Sequence, residues 1–234
     1  MRLINKKIDD WTEPYVTIYG SNQVQDKDLK SINPVKYFLN LTQPNIFKCY
    51  AISLASYWIY KTNNIHEIKI NINESEGEFP EEDYDRISWR DFYKYKNVEF
   101  DLNKAMIDAV EWKRPFGKQM NNELYCGEGL MDKEHLISFV NTVLSIYGDQ
   151  EIEAFYVFMA TEKYEEDELF VGKISELPHL LNNKSRPPSL IYPKEKNWLI
   201  NTDYDLPFST IGGECKLINQ LVENNREEIY KVEY

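Results

Sequence analysis

The sequence predicts an α+β fold, with an antiparallel or mixed sheet and helices packed mainly on one of its faces. Three observations lead there. Leu136, Phe139, Val140, Val143, Leu144 and Tyr147 recur at the helical period between Asp132, a potential N-cap, and Gly148, a potential stop. Apolar runs at Ile152 to Met159, at Leu169 to Ile174 and at 197–202 have the length and composition of buried strands. Hydrophobic residues make up 42% of the 234, enough to build a substantial core. No linker interrupts the chain, so 1–234 reads as one domain, with a helix-rich half over 1–148 and a sheet-rich half over 149–234.

Taken in order, Tyr15-Val16-Thr17-Ile18-Tyr19 reads as a strand ending at Gly20. From Asn45 to about Lys61 the pattern predicts an aromatic helix. Tyr50, Leu54, Tyr57 and Trp58 form one stripe, and Ile52, Ala55 and Ile59 make the opposite side apolar too, which places that helix at the centre of the core. Ile68, Ile70 and Ile72 alternate with Lys69 and Asn71 as a strand with one wet face. Residues 74–85 hold seven acids, no base, Gly77 and Pro80, the composition of a solvated loop. Asp101 is placed to cap a helix carrying Leu102, Met106, Ala109 and Val110, stopped near Pro115-Phe116-Gly117. Helix 132–147 follows, then the strand runs, separated by a second acidic segment at Thr161 to Glu168. Asn182 to Ser189 is a loop. Leu217, Ile218, Leu221 and Val222 share a helix face, and Ile229 to Val232 closes the chain as a short strand.

Charge narrows the partners. Lys and Arg number 27 against 39 Asp and Glu, a net charge of −12, which repels nucleic-acid phosphates and anionic lipid and suits either solubility or a basic protein partner. No stretch is long and apolar enough to span a membrane, and the start lacks a secretory-signal pattern, so the expected address is the cytosol. Cys49, Cys126 and Cys215 are an odd number at wide spacings, from which neither a disulfide nor a metal-ligand pair is drawn.

The densest signature is Asn197-Trp198-Leu199-Ile200-Asn201-Thr202-Asp203-Tyr204-Asp205-Leu206-Pro207-Phe208, followed by Ile211-Gly212-Gly213. Two aspartates after an apolar strand are one way to hold Mg²⁺, because residues i and i+2 at a strand end converge on a hard cation. They serve equally to cap the turn backbone, and that reading is preferred. Gly212-Gly213 lacks the further glycines and the Lys-Ser/Thr pair of a phosphate loop; a close backbone approach or a positive-φ turn accounts for it. Trp198, Asp203, Asp205, Gly212 and Gly213 are therefore taken as structural. The segment resembles the C-terminal signature of small bacterial proteins, mostly uncharacterised, some of which look like immunity proteins encoded beside secreted toxins. The resemblance covers the last part of the chain only, and implies a partner protein rather than a chemistry.

Tyr125-Cys126-Gly127-Glu128-Gly129 could present a thiol with His135 as base, but proximity in sequence is poor evidence for a catalytic pair. His66 and His179 stand alone and suggest no zinc site. No hydrolase elbow, zincin, Walker or dinucleotide motif is present, and no cofactor is implied. The acidic segments remain. Glu81, Glu82, Asp83 and Tyr84, together with Tyr164, Glu165, Glu166, Asp167 and Glu168, combine acids with aromatic anchors as a docking face for a cationic partner would. The expectation is a non-enzymatic binding protein that covers the active surface of a cognate toxin or another basic protein. The alternatives are an enzyme assembled around Asp203 and Asp205 or the Cys126 loop, and a scaffolding subunit.

Overall fold

Six consecutive residues, Cys49 to Leu54, form a strand, β2, in which every side chain is buried. Cys49 and Ala51 enter one hydrophobic cluster; Tyr50, Ile52 and Leu54 enter another. This corrects the helix expected over 45–61. Apolar residues on both sides describe a central strand as well as a central helix, and periodicity does not separate the two in a short run. The second half of that stretch is another strand, β3 (Tyr57–Tyr60).

The structure is a computed structural model that describes residues 1–18, 32–61, 84–110, 123–125 and 129–234. Its main sheet has eight strands, all pairs antiparallel, in the order β1 (Arg2–Ile4), β7 (Glu168–Lys173), β6 (Glu151–Tyr156), β8 (Leu190–Pro193), β9 (Trp198–Asn201), β10 (Phe208–Gly213), β2 and β11 (Ile229–Val232). The sheet thus draws strands from both halves of the chain. A second sheet sets β3 between β4 (Tyr84–Ile87) and β5 (Glu123–Tyr125). The α+β class is therefore observed, with an antiparallel main sheet.

Three of the described helices start at side-chain caps. Asn33 accepts from the Lys36 amide at α1 (Pro34–Thr42), and Ser88 from the Asp91 amide at α2 (Trp89–Tyr95). Asp101 accepts from the Lys104 amide at 2.8 Å to start α3 (Leu102–Val110). Helix α4 (Lys133–Tyr147) ends at Gly148, which adopts φ 75° and donates its amide to Leu144. Asp132 stands at the N-cap position, yet its carboxylate caps nothing and turns elsewhere, as described below. The short α5 (Leu177–Leu181) and the amphipathic α6 (Cys215–Asn224) complete the set among the described residues.

α4 and α6 pack together, and their apolar faces (Leu136, Phe139, Val140 and Val143; Leu217, Ile218 and Leu221) share a cluster with β6, β8 and β9. Phe139 meets Trp198 edge-on at 5.0 Å. The other cluster joins α1, α2 and α3 to Tyr50, Ile52, Leu54, Phe208 and Tyr230.

Four further expectations change. Glu13–Tyr15 is a 3₁₀ turn and residues 16–18 are irregular; the Ile18 amide is held by a side chain, not a ladder. Tyr84 and Asp85, placed in the acidic loop, belong to β4. Cys49 and Cys215 form a disulfide, because the fold brings together positions 166 residues apart in sequence. Gly212 and Gly213 lie inside a strand and neither has positive φ, so the positive-φ turn fails and the close backbone approach holds, at Gly212. The strand expected at 68–72 and residues 74–83 lie outside the described residues.

Leu136 and Val140 are 1% and 3% exposed. Changing either to Asp inserts a charge without a partner and is expected to cost roughly 3–5 kcal/mol in chemical denaturation. A denaturation midpoint left at the parent value would contradict the packing of α4.

Candidate functional site

A polar cluster, buried at Ser53, Ser56 and His135 and half-buried at Arg86, Asp132 and Glu228, lies where the N-terminus of α4 meets β2, β4 and the segment before β11. The Ser53 hydroxyl lies 2.9 Å from His135 Nδ1, and Nε2 of the same ring lies 2.9 Å from Glu228. An ionised carboxylate only accepts, so Nε2 carries a proton; in the neutral ring Nδ1 then accepts from Ser53. Arg86, on β4, reaches Asp132 at 2.9 Å and Glu228 at 2.8 Å through one guanidinium nitrogen. Asp132 also accepts from the Ser56 hydroxyl. That contact and Arg86 are where the expected capping carboxylate has gone.

Serine, imidazole and carboxylate in line have the composition of a hydrolase triad. Ser53 and His135 are each 1% exposed, however, so no carbonyl reaches the hydroxyl in this conformation. Asp132, His135 and Glu228 also each offer a ligand atom within 4.8 Å of the others, a donor set of the kind Zn²⁺ takes. Arg86 stands against both carboxylates and already supplies the cation, which a metal would have to displace. The arrangement acts as a polar clamp between the two sheets and α4. Its electrostatics follow. Burial pushes the Glu228 carboxyl up, but hydrogen bonds from His135 and Arg86 outweigh burial and hold it below its ordinary 4.5.

The signature residues fasten the turn after β9. Asp203 is buried; one carboxylate oxygen accepts from the Ile18 amide at 2.7 Å and the other from the Asp205 amide at 2.9 Å. It thereby ties the N-terminal segment to the turn. Asp205 is partly exposed, and burial raises its carboxyl above the ordinary value. Trp198 is buried and donates to Gln150 at 2.9 Å. A Cβ on Gly212 would stand 2.3 Å from Phe47 and 2.7 Å from the Gln43 amide oxygen. Glycine there admits Gln43, which donates to the Thr210 carbonyl at 3.0 Å.

The second acidic segment forms a turn beside β1, and Thr161, Glu165, Glu166, Asp167 and Leu3 line part of a groove of about 520 Å³ there. Its acids divide by role. Glu162 accepts from the amide and hydroxyl of Ser185, Asp167 accepts from the Phe158 amide at 2.7 Å, and Glu168 pairs with Lys184 at 2.6 Å. Glu165 and Glu166 are exposed and have no partner among the described residues. Tyr164 sits at φ 56°, a conformation bulky residues rarely adopt, and the residue is 58% exposed. Leu3 and Phe158 add exposed apolar surface nearby. Of the first acidic segment, Glu81, Glu82 and Asp83 lie outside the described residues, and Tyr84 begins β4. Cys126 also lies outside them, and both ring nitrogens of His135 are engaged by Ser53 and Glu228.

No known protein family, curated protein or solved structure matches this chain. Sequence reasoning missed Ser53, Arg86 and Glu228. Ser53 fell in a stretch read as helix, and no spacing relates the other two to His135.

Two measurements test these assignments. Because the folded Glu228 carboxyl lies below its unfolded value, its contribution to stability is complete above 4.5 and is lost as pH falls through the folded pKa. Glu228→Gln should lower the melting temperature at neutral pH, and the gap to the parent should close in acid; a gap independent of pH would contradict the clamp. Asp203→Ala leaves the Ile18 amide without its acceptor and should cost about 1–3 kcal/mol. An unchanged denaturation midpoint would show that Asp203 does not hold the turn.

Proposed function

We propose that this chain is a non-enzymatic acidic binding protein of the immunity type, which neutralises a basic partner, such as a cognate toxin domain, by covering its active surface. The observation that carries this reading is the turn at 161–168. Three of its acids are spent on local hydrogen bonds and an ion pair that fix its shape. The remaining two, Glu165 and Glu166, face solvent beside the exposed ring of Tyr164. A preformed loop offering unpaired carboxylates and an aromatic anchor suits capture of a cationic surface, since little ordering entropy remains to be lost on binding. The net charge of −12 adds long-range attraction for such a partner. An enzyme built on Asp203 has less support, because backbone amides already occupy both of its oxygens.

The division of labour among the acids decides the experiment. Reversing Glu168 would break its pair with Lys184 and confuse folding with binding. Glu165→Lys with Glu166→Lys should instead leave the melt unchanged, because exposed unpaired charges contribute little to folding. Against the protein encoded by the neighbouring gene, the double variant should associate several-fold more slowly at low salt, and the difference should shrink as salt rises. Tyr164→Ala should act mainly on the dissociation rate. Parent-like kinetics for both variants at both salt concentrations would remove this face from the docking surface.

A further inference from the structure

Two cysteines far apart in sequence meet at one edge of the core. Cys49 opens β2 and lies opposite Gly213, the last residue of β10. A single residue, Glu214, then leads into α6, whose first residue is Cys215. The ladder register and the strand-to-helix turn together deliver both sulfurs to one place. Their Cα atoms stand 4.9 Å apart, inside the span of about 4.4–6.8 Å that a disulfide bridges without moving backbone. Cys49 is 8% exposed, and the half-buried Cys215 packs on the cluster that holds Leu217 and Ile218.

We propose that the Cys49–Cys215 bond is a lock made in an oxidising compartment, and that the chain does its work there rather than in the reducing cytosol. Cytosolic thiol pools keep such pairs reduced, whereas secreted, periplasmic and other extracytoplasmic proteins retain them. The bond forms when the two thiols give up two protons and two electrons to a disulfide-bearing oxidant, a thiol oxidoreductase or oxidised glutathione, which leaves as the dithiol or as two thiols. The lock spans 166 residues, so it restricts the unfolded chain strongly while joining elements that the β2–β10 ladder already holds together. Reduction therefore loosens the fold without dismantling it. The lock is carried by observations separate from the acidic turn and stands or falls apart from it.

Acid quenching of intact source cells, followed by alkylation under denaturing conditions and intact-mass measurement, reads the state of the bond where the protein works. One alkylated cysteine is expected before reduction, and three after treatment with a phosphine. The purified full-length chain should melt roughly 5–15 °C lower with phosphine than without. Cys49→Ser with Cys215→Ser should melt like the reduced parent and ignore phosphine, while Cys126→Ser should keep the phosphine-sensitive drop. Three alkylated cysteines in the source cells, or a complete bond in protein recovered from a reducing cytosol, would overturn the compartment. Equal melting of the oxidised and reduced parent would overturn the lock.

Discussion

The molecule is organised by the burial of β2 between two strands that come from the far end of the chain. Its ladder runs to β10 on one side and β11 on the other, and all six of its residues are buried. A strand in that position needs cover on both faces, so α4 and α6 share a cluster with Cys49 and Ala51 while α1 to α3 serve Tyr50, Ile52 and Leu54. It also needs close approach. Gly212 supplies it opposite Tyr50, where any side chain would collide with Phe47 and Gln43. Pairing residues this distant closes a long loop before it gains contacts, which makes strands of this kind slow to form and gives later fasteners their value.

Several fasteners are polar and buried, an arrangement that stabilises only when its members satisfy one another. Gln43 and Thr42, at the C-terminal end of α1, both bond to Thr210 on β10; Thr202 meets Ser209 at 2.8 Å. The cluster of Ser53, Ser56, Arg86, Asp132, His135 and Glu228 does the same at larger scale. It joins the small sheet to the large one through a guanidinium shared by two carboxylates. Its resemblance in composition to catalytic and metal centres follows from needing the same residue types for a different end. Removing one member would leave its partners buried and unpaired, so the cluster fixes where β4 lies relative to α4.

At the surface the logic reverses. The turn at 161–168 uses Glu162, Asp167 and Glu168 for shape and leaves Glu165, Glu166 and Tyr164 outward. Charge count alone treats these acids as equivalent. Their different hydrogen bonds make some of them parts of the scaffold and others available to a partner.

The sequence by itself determined the elements whose signals are local. Helix α4 with its glycine stop, α3 with its Asp101 cap, the core face of α6 and the last strand all follow from periodicity and capping within one short stretch. Charge also belongs to this class, because it needs no fold to be counted. Tertiary structure decided everything that depends on which distant residues meet. Residues 49–54 became strand because β10 and β11 were there to pair with them, although their apolar pattern fits a helix equally well. Asp132 left its helix cap for Ser56 and Arg86, and Cys49 found Cys215 through a ladder register that no spacing encodes. His135 gained Ser53 and Glu228 in the same way. A pattern along the chain records what a residue prefers, while its partner is set by the register and packing of elements folded from elsewhere.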